Sequence, residues 1–299
     1  MTRRPAKHVL VAALLFAAAL SAAGLDIEGT FQLGNMGFTP TRASTDATLT
    51  GADYFADGNL SLRQDLPGGI RIEAAAQRDV ITGNAVWAII QYKTDYFRVA
   101  LGPYIGLAGS VPGILKPGIS ALLGAQLPGI AFLTLRTDLA QGGQAADMYA
   151  AQNSAISLGF YVRDSAICTF GVSFDQLSSV PSGTEIVDSL TAYTFDVEVF
   201  EKNVPYRLDF NFAYQVLLRQ YLDGAANPEH GLDSVVAGAG VDVLITPSFV
   251  LQLGFRTSVW TLGTGVLSGL SDIGFAPFLF QASAGFRVTL GDSADSAGL

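Results

Sequence analysis

The chain has 299 residues, 49% of them hydrophobic and 14% charged, with 26 acidic side chains against 17 basic ones and a single cysteine. So little charge excludes a disordered chain, one Cys excludes a disulfide scaffold or a multi-cysteine metal cluster, and a net charge of −9 argues against a nucleic-acid-binding face. The mean hydropathy of +0.37 is high for a soluble protein, yet after residue 24 no apolar run reaches the ~20 residues of a membrane helix.

The chain opens with Arg3, Arg4 and Lys7, then an apolar run from Val9 to Leu20, then the small residues Ser21, Ala22 and Ala23. This is the layout of a secretory signal peptide over 1–23. The mature chain is expected to start near Gly24 or Leu25. Loss of three basic residues leaves it more acidic still.

Beyond the leader, side chains alternate with period two, as a strand requires and a helix does not. The clearest case is Tyr206–Leu218. Its even positions are Tyr206, Leu208, Phe210, Phe212, Tyr214, Val216 and Leu218, and its odd positions begin Arg207, Asp209, Asn211, Ala213, Gln215. The pattern predicts fourteen strands, in chain order 25–34, 54–65, 70–81, 85–93, 96–108, 118–127, 130–140, 154–163, 166–177, 190–201, 206–220, 234–245, 249–261 and 277–290. Strands four to seven are the least regular: Trp87, Ile89 and Ile90 break the alternation, and Pro103 removes a ladder donor. Twelve strands is the alternative count.

Short turns are expected at Pro67–Gly69, Lys93–Asp95, Pro128–Gly129, Asp164–Ser165, Lys202–Pro205 and Thr246–Ser248, from their Pro, Gly, Asp and Ser content. Longer polar connections are expected over 35–53, 109–117, 141–153, 178–189, 222–233 and 262–276, and only the third-to-fourth connection, at Thr82–Asn84, is short. Alternating short and long connections and an even strand count predict an all-β, closed, antiparallel up-and-down transmembrane β-barrel over 24–290, followed by a polar tail, 291–299. A secreted β-sandwich also alternates, but its exposed faces carry many lysines, and the mature chain has only Lys93, Lys116 and Lys202.

Signal peptide, alternating strands and the closing segment Ser283–Leu290, with Gly285 followed by alternating apolar residues, resemble Gram-negative outer-membrane β-barrel proteins of the porin-like kind. The resemblance spans the mature chain and points to no single close family. It implies an outer-membrane location, with lipids and the barrel-assembly machinery as partners. The fatty-acid transporters of fourteen strands differ, since they carry a plug segment before their first strand.

Fourteen strands give a cylinder about 28 Å across at the backbone and a lumen of roughly 10 Å. On the inward parity fall the carboxylates Asp26, Glu28, Glu73, Asp196, Glu198 and Asp209. The same parity carries the guanidinium groups of Arg71, Arg98, Arg136, Arg207, Arg256 and Arg287. Asp57, Arg63, Asp138, Arg163 and Asp242 are placed there too, with the small residues Ser234, Gly238, Gly240, Gly254, Ser258, Ser283 and Gly285. The expected function is passive diffusion of small polar solutes or ions, with a mild cation preference from the acidic balance. The alternative is a non-conducting barrel that displays loops or serves a structural role.

Aromatic girdles are expected from Tyr92, Tyr96, Phe97, Tyr206 and Phe249 near the short turns and from Trp87, Tyr221, Trp260 and Phe278 near the long loops. Catalytic signals are nearly absent. His230 sits in a predicted loop with Asp223 and Glu229 and without a motif, so no enzyme, metal site or cofactor is expected. Cys168 shares the apolar parity of Phe170 and Val172 and reads as lipid-facing.

Overall fold

In the computed structural model, the described residues are 24–34, 55–79, 83–107, 115–142, 149–179, 185–201, 203–222, 229–263 and 280–291. The expected leader, most of the tail, and Asp223 and Phe278 lie outside them. The strands are β1 (Leu25–Gly34), β2 (Phe55–Leu66), β3 (Ile70–Asp79), β4 (Gly83–Lys93), β5 (Phe97–Leu107), β6 (Leu115–Leu127) and β7 (Ala131–Gly142). They continue as β8 (Tyr149–Val162), β9 (Ala166–Ser179), β10 (Glu185–Phe200), β11 (Tyr206–Leu222), β12 (Glu229–Thr246), β13 (Phe249–Gly263) and β14 (Phe280–Leu290).

Each strand pairs antiparallel with its sequence neighbours, and β1 closes the sheet on β14. The closing register runs from Leu25↔Leu290 to Gly34↔Gln281, and β1 pairs over the same span with β2, from Leu25↔Gln64 to Gly34↔Phe55. The molecule is a closed fourteen-strand antiparallel β-barrel, which removes the twelve-strand alternative. Closure gives every strand two partners, so no row of backbone N–H and C=O groups is left unpaired.

The outer face is apolar. Phe31, Leu60, Ile90, Leu101, Leu123, Leu133, Leu158, Phe170, Phe212 and Leu253 are all exposed there. Neighbouring strands match their aromatics across this face. Phe170 and Phe195 lie 4.7 Å apart, Tyr193 stacks on Tyr214 at 6.3 Å, and Phe255 stacks on Phe280 at 6.3 Å. Cys168, on the same face, is a free, partly exposed thiol.

The short connections fall where turn chemistry puts them, at 67–69, 94–96, 128–130, 163–165, 201–205 and 247–248. Gly68 and Gly69 have φ of 82° and 77°, a region that side chains with a Cβ rarely enter. At the β4–β5 turn, Thr94 Oγ1 accepts from the backbone N–H of Phe97 at 3.0 Å and of Tyr96 at 3.3 Å. Arg163, expected on the inner face, instead stands in the β8–β9 turn with φ 56°.

At the opposite end the strands run further than the sequence pattern predicts. β8 begins at Tyr149, β10 at Glu185, β12 at Glu229 and β6 at Leu115, and β13 reaches Gly263. These extensions are polar or mixed, so they lack the clean alternation of a half-apolar strand, yet ladder pairing carries them on. The pairing Tyr149↔Ser179 and Glu185↔Leu222 shows it. His230, expected in a loop, lies in β12 opposite Arg219. Pro103 is held within β5, and the β4–β5 pairing lapses between Trp87↔Tyr104 and Ile90↔Leu101, beside it. There the backbone of Gly102 comes so close to the Ala88 carbonyl that a Cβ would collide with it.

The outer face predicts its own test. Phe212 is half-exposed in the middle of β11. Phe212→Arg should destabilise the barrel in lipid by about 2–4 kcal/mol, read as a lower urea midpoint in reversible lipid refolding. An unchanged midpoint would mean that this face does not meet lipid.

Candidate functional site

The parity opposite the apolar face points inward and carries the charge. Register fixes this: Glu28 pairs with Arg287, Asp26 with Arg63, Arg63 with Glu73, and Glu198 with Asp209. Of the seventeen charged residues expected on the inner face, sixteen lie on this parity and Arg163 stands in the β8–β9 turn.

They form linked groups. Asp26 accepts from Thr289 Oγ1 at 2.6 Å, and Glu28 accepts from Gln252 Nε2 at 3.2 Å, both across the β1–β14–β13 closure. Arg71 donates to both Asp65 oxygens, at 2.5 and 2.7 Å, and Glu73 stands 3.7 Å from Arg63. Arg207 bridges three strands, with one nitrogen 2.9 Å from Glu198 on β10 and another 2.7 Å from Asp242 on β12. Asp196 accepts from Asn211 Nδ2. Gly238 leaves room for the Arg256 stem, whose Cγ would be 2.7 Å from a Cβ there, and Gly240 lies beside the Asp209 carboxylate.

The two sides of the cylinder differ in charge balance, one acidic and the other mixed. From β9 to β12 the inner wall carries Asp175, Asp188, Asp196, Glu198, Asp209 and Asp242, and Arg207 is its one cation among the described side chains. Half the circumference away, β2 to β7 carry Arg63, Arg71, Arg98 and Arg136, interleaved with Asp57, Asp65, Glu73 and Asp138. The interior field is therefore directed across the barrel as well as negative on balance.

The inner wall also departs from the polar lining expected from sequence. Ala85, Trp87 and Ile89 on β4, Ala100 and Tyr104 on β5, and Ala140, Ala151, Leu177 and Leu217 on β7, β8, β9 and β11 form one buried apolar belt. Trp87, expected in an outer girdle, is part of it and is 4% exposed. Arg136 reaches from β7 to lie 4.1 Å over the Trp87 ring, held by Asp138 at 3.1 Å, and Ser120 donates to the same carboxylate. The broken alternation of β4 was the available signal. A strand that is apolar on both faces packs on both, so Ile89 is buried inside while Ile90 is exposed outside.

The remaining girdle residues divide by position. Tyr92, Tyr96, Phe97, Tyr206 and Trp260 are exposed and Phe249 partly so, whereas the Tyr221 side chain lies outside the described residues. A register shift between Val235 and Val236 brings Trp260 to the outer face. Among the described residues no three His, Cys, Asp or Glu side chains come together as a metal site.

Comparison with known proteins adds likeness of outline only. No protein-family model matches the chain, and no curated protein matches it in sequence. Among solved structures, an outer-membrane channel from Pseudomonas putida F1 is 9% identical, with 91% of this chain and 97% of that one covered at a TM-score of 0.47. The outer-membrane channel DcaP of Acinetobacter baumannii is 11% identical, with 90% and 96% covered at a TM-score of 0.43. OmpT, an outer membrane protein of Vibrio cholerae, is 9% identical, with 90% and 98% covered at 0.42.

The two tryptophans supply a direct test of the interior belt. In brominated lipid, quenching should reach Trp260 and spare Trp87, so the Trp260→Phe variant should lose most of the quenching and Trp87→Phe little. The reverse would place Trp87 outside.

Proposed function

We propose that the protein is an outer-membrane diffusion channel for small polar solutes and ions, with a preference for cations. The observation that carries this reading is the acidic inner wall of β9–β12, where the described side chains are six carboxylates and one guanidinium. A barrel needs no such wall in order to fold, whereas a water-filled path uses it to concentrate cations. In this reading the short turns face the periplasm and the apolar outer face meets the lipids, after delivery by a cleaved leader and the barrel-assembly machinery. In this reading the path runs along that side, where β12 to β14 carry the inner glycines Gly238, Gly240, Gly254 and Gly285.

That belt favours a second reading. Ile89, Tyr104 and Ser120 are each only 1% exposed, so one sector of the interior is packed like a core. If the packing continues across the cylinder, the barrel is a closed structural or loop-displaying protein.

Single-channel recording of the refolded protein in a planar bilayer decides between them, with heat-modifiable migration as the folding control. Stable steps with a reversal potential favouring cations support the channel, and silence from a folded barrel supports the closed reading. Asp196→Lys and Asp209→Lys should each shift the reversal potential toward anions, and an unchanged potential would remove those residues from the path.

A further inference from the structure

Near the short-turn end, between β4 and β8, the interior holds a cavity of about 190 Å³ bordered by Lys93, Arg98, Gln126, Phe132 and Tyr161. Its shape depends on two glycines. The Arg98 stem lies flat across Gly124, where a Cβ would stand 2.5 Å from Cγ and 2.6 Å from Nε. Two strands further on, the Phe132 ring lies across Gly159 in the same manner, and a Cβ there would fall against the ring. Lying flat, Arg98 reaches Thr134 and donates to its Oγ1 at 2.5 Å. Phe132 meets Tyr161 edge to face, with centroids 5.9 Å apart. Gln126 is fixed by donating to the Asp95 carbonyl at 2.7 Å.

Among the described residues no carboxylate closes on the charges of this cavity. The acids of the neighbouring strands are engaged elsewhere, Asp65 by Arg71 and Glu73 by Arg63. Among the described residues neither Arg98 nor Lys93 forms an ion pair. The site thus offers a guanidinium and an ammonium on one side and two aromatic rings on the other.

We infer that this cavity is a binding site for a small planar organic anion. The carboxylate of such a solute would take the free guanidinium edge of Arg98, with Lys93 as a second positive charge, and its flat apolar body would lie against Phe132 and Tyr161. The volume is below the ~300 Å³ at which pockets for drug-sized ligands begin, so a single ring is the upper limit of size. A simple inorganic anion would leave the aromatic side unused.

The inference rests on the interior geometry and not on conduction, so binding is measured directly. The experiment is equilibrium dialysis of radiolabelled benzoate against the full-length barrel refolded in detergent, with empty micelles subtracted and heat-modifiability as the folding control. Saturable binding is expected. It should weaken at least tenfold in Arg98→Gln and in Gly159→Ala, which displaces the Phe132 ring without altering charge. Unlabelled benzamide, the neutral isostere, should compete at least tenfold less well than unlabelled benzoate. Absence of saturable binding to the folded wild-type barrel would overturn the inference, as would benzoate binding unchanged in folded Arg98→Gln. Equal competition by acetate and benzoate would overturn the aromatic part of the site. None of these outcomes depends on whether the barrel conducts.

Discussion

The pairing of β1 with β14 is the constraint on which the rest of this structure depends. Every strand presents hydrogen-bonding groups along both edges, and in hydrocarbon an unpaired edge costs several kcal/mol per group. The register Leu25↔Leu290 to Gly34↔Gln281 removes the last edge. Once the sheet is a cylinder, period-two side chains divide into an outside and an inside. Phe286 and Val288 are then outside, and Arg287 between them is inside. One covalent alternation is thereby turned into two chemically different surfaces.

The outside needs little specification beyond being apolar. Aromatic pairs such as Phe170–Phe195 and Tyr193–Tyr214 add cross-strand contact, and the Phe286 ring lies over Gly29 across the closing seam. The inside is more demanding, because every charge there must be hydrated or partnered. Two solutions coexist. On β10–β12 the guanidinium of Arg207 is shared between Glu198 and Asp242, and among the described side chains carboxylates are in excess. On β4–β7 the arginines are laid against rings and hydroxyls, Arg136 on Trp87 and Arg98 at Thr134, within a wall that is partly apolar. The asymmetry between these sides gives the interior its transverse field and a sector that is packed rather than open.

Glycines serve this interior by omission. At Gly124, Gly159 and Gly238 the missing Cβ is filled by a side chain from the adjacent strand, which lies along the wall instead of standing into the lumen. A long side chain so held carries its charged or aromatic end over the neighbouring strand, and Arg98 reaches Thr134 two strands away. That is how Arg98 and Phe132 come to border one cavity, and how Arg256 extends over β12.

The sequence by itself determined the barrel. Alternation along Tyr206–Leu218 and its counterparts specifies strands, and turn residues at 67–69, 128–130 and 247–248 specify where the chain reverses, because both are local properties of the backbone and its side chains. Parity alone also put all but Arg163 of the seventeen charged residues on one face. Only the tertiary structure decided what that face is. The partners of Arg207, the stacking of Arg136 on Trp87 and the union of Lys93, Arg98, Phe132 and Tyr161 all join residues from different strands. Their reach depends on register and on which neighbours lack a Cβ. Trp87 shows the limit most plainly. A period-two reading of a strand that is apolar on both faces cannot tell its lipid side from its core side, and closure of the cylinder with a packed inner sector placed this ring within.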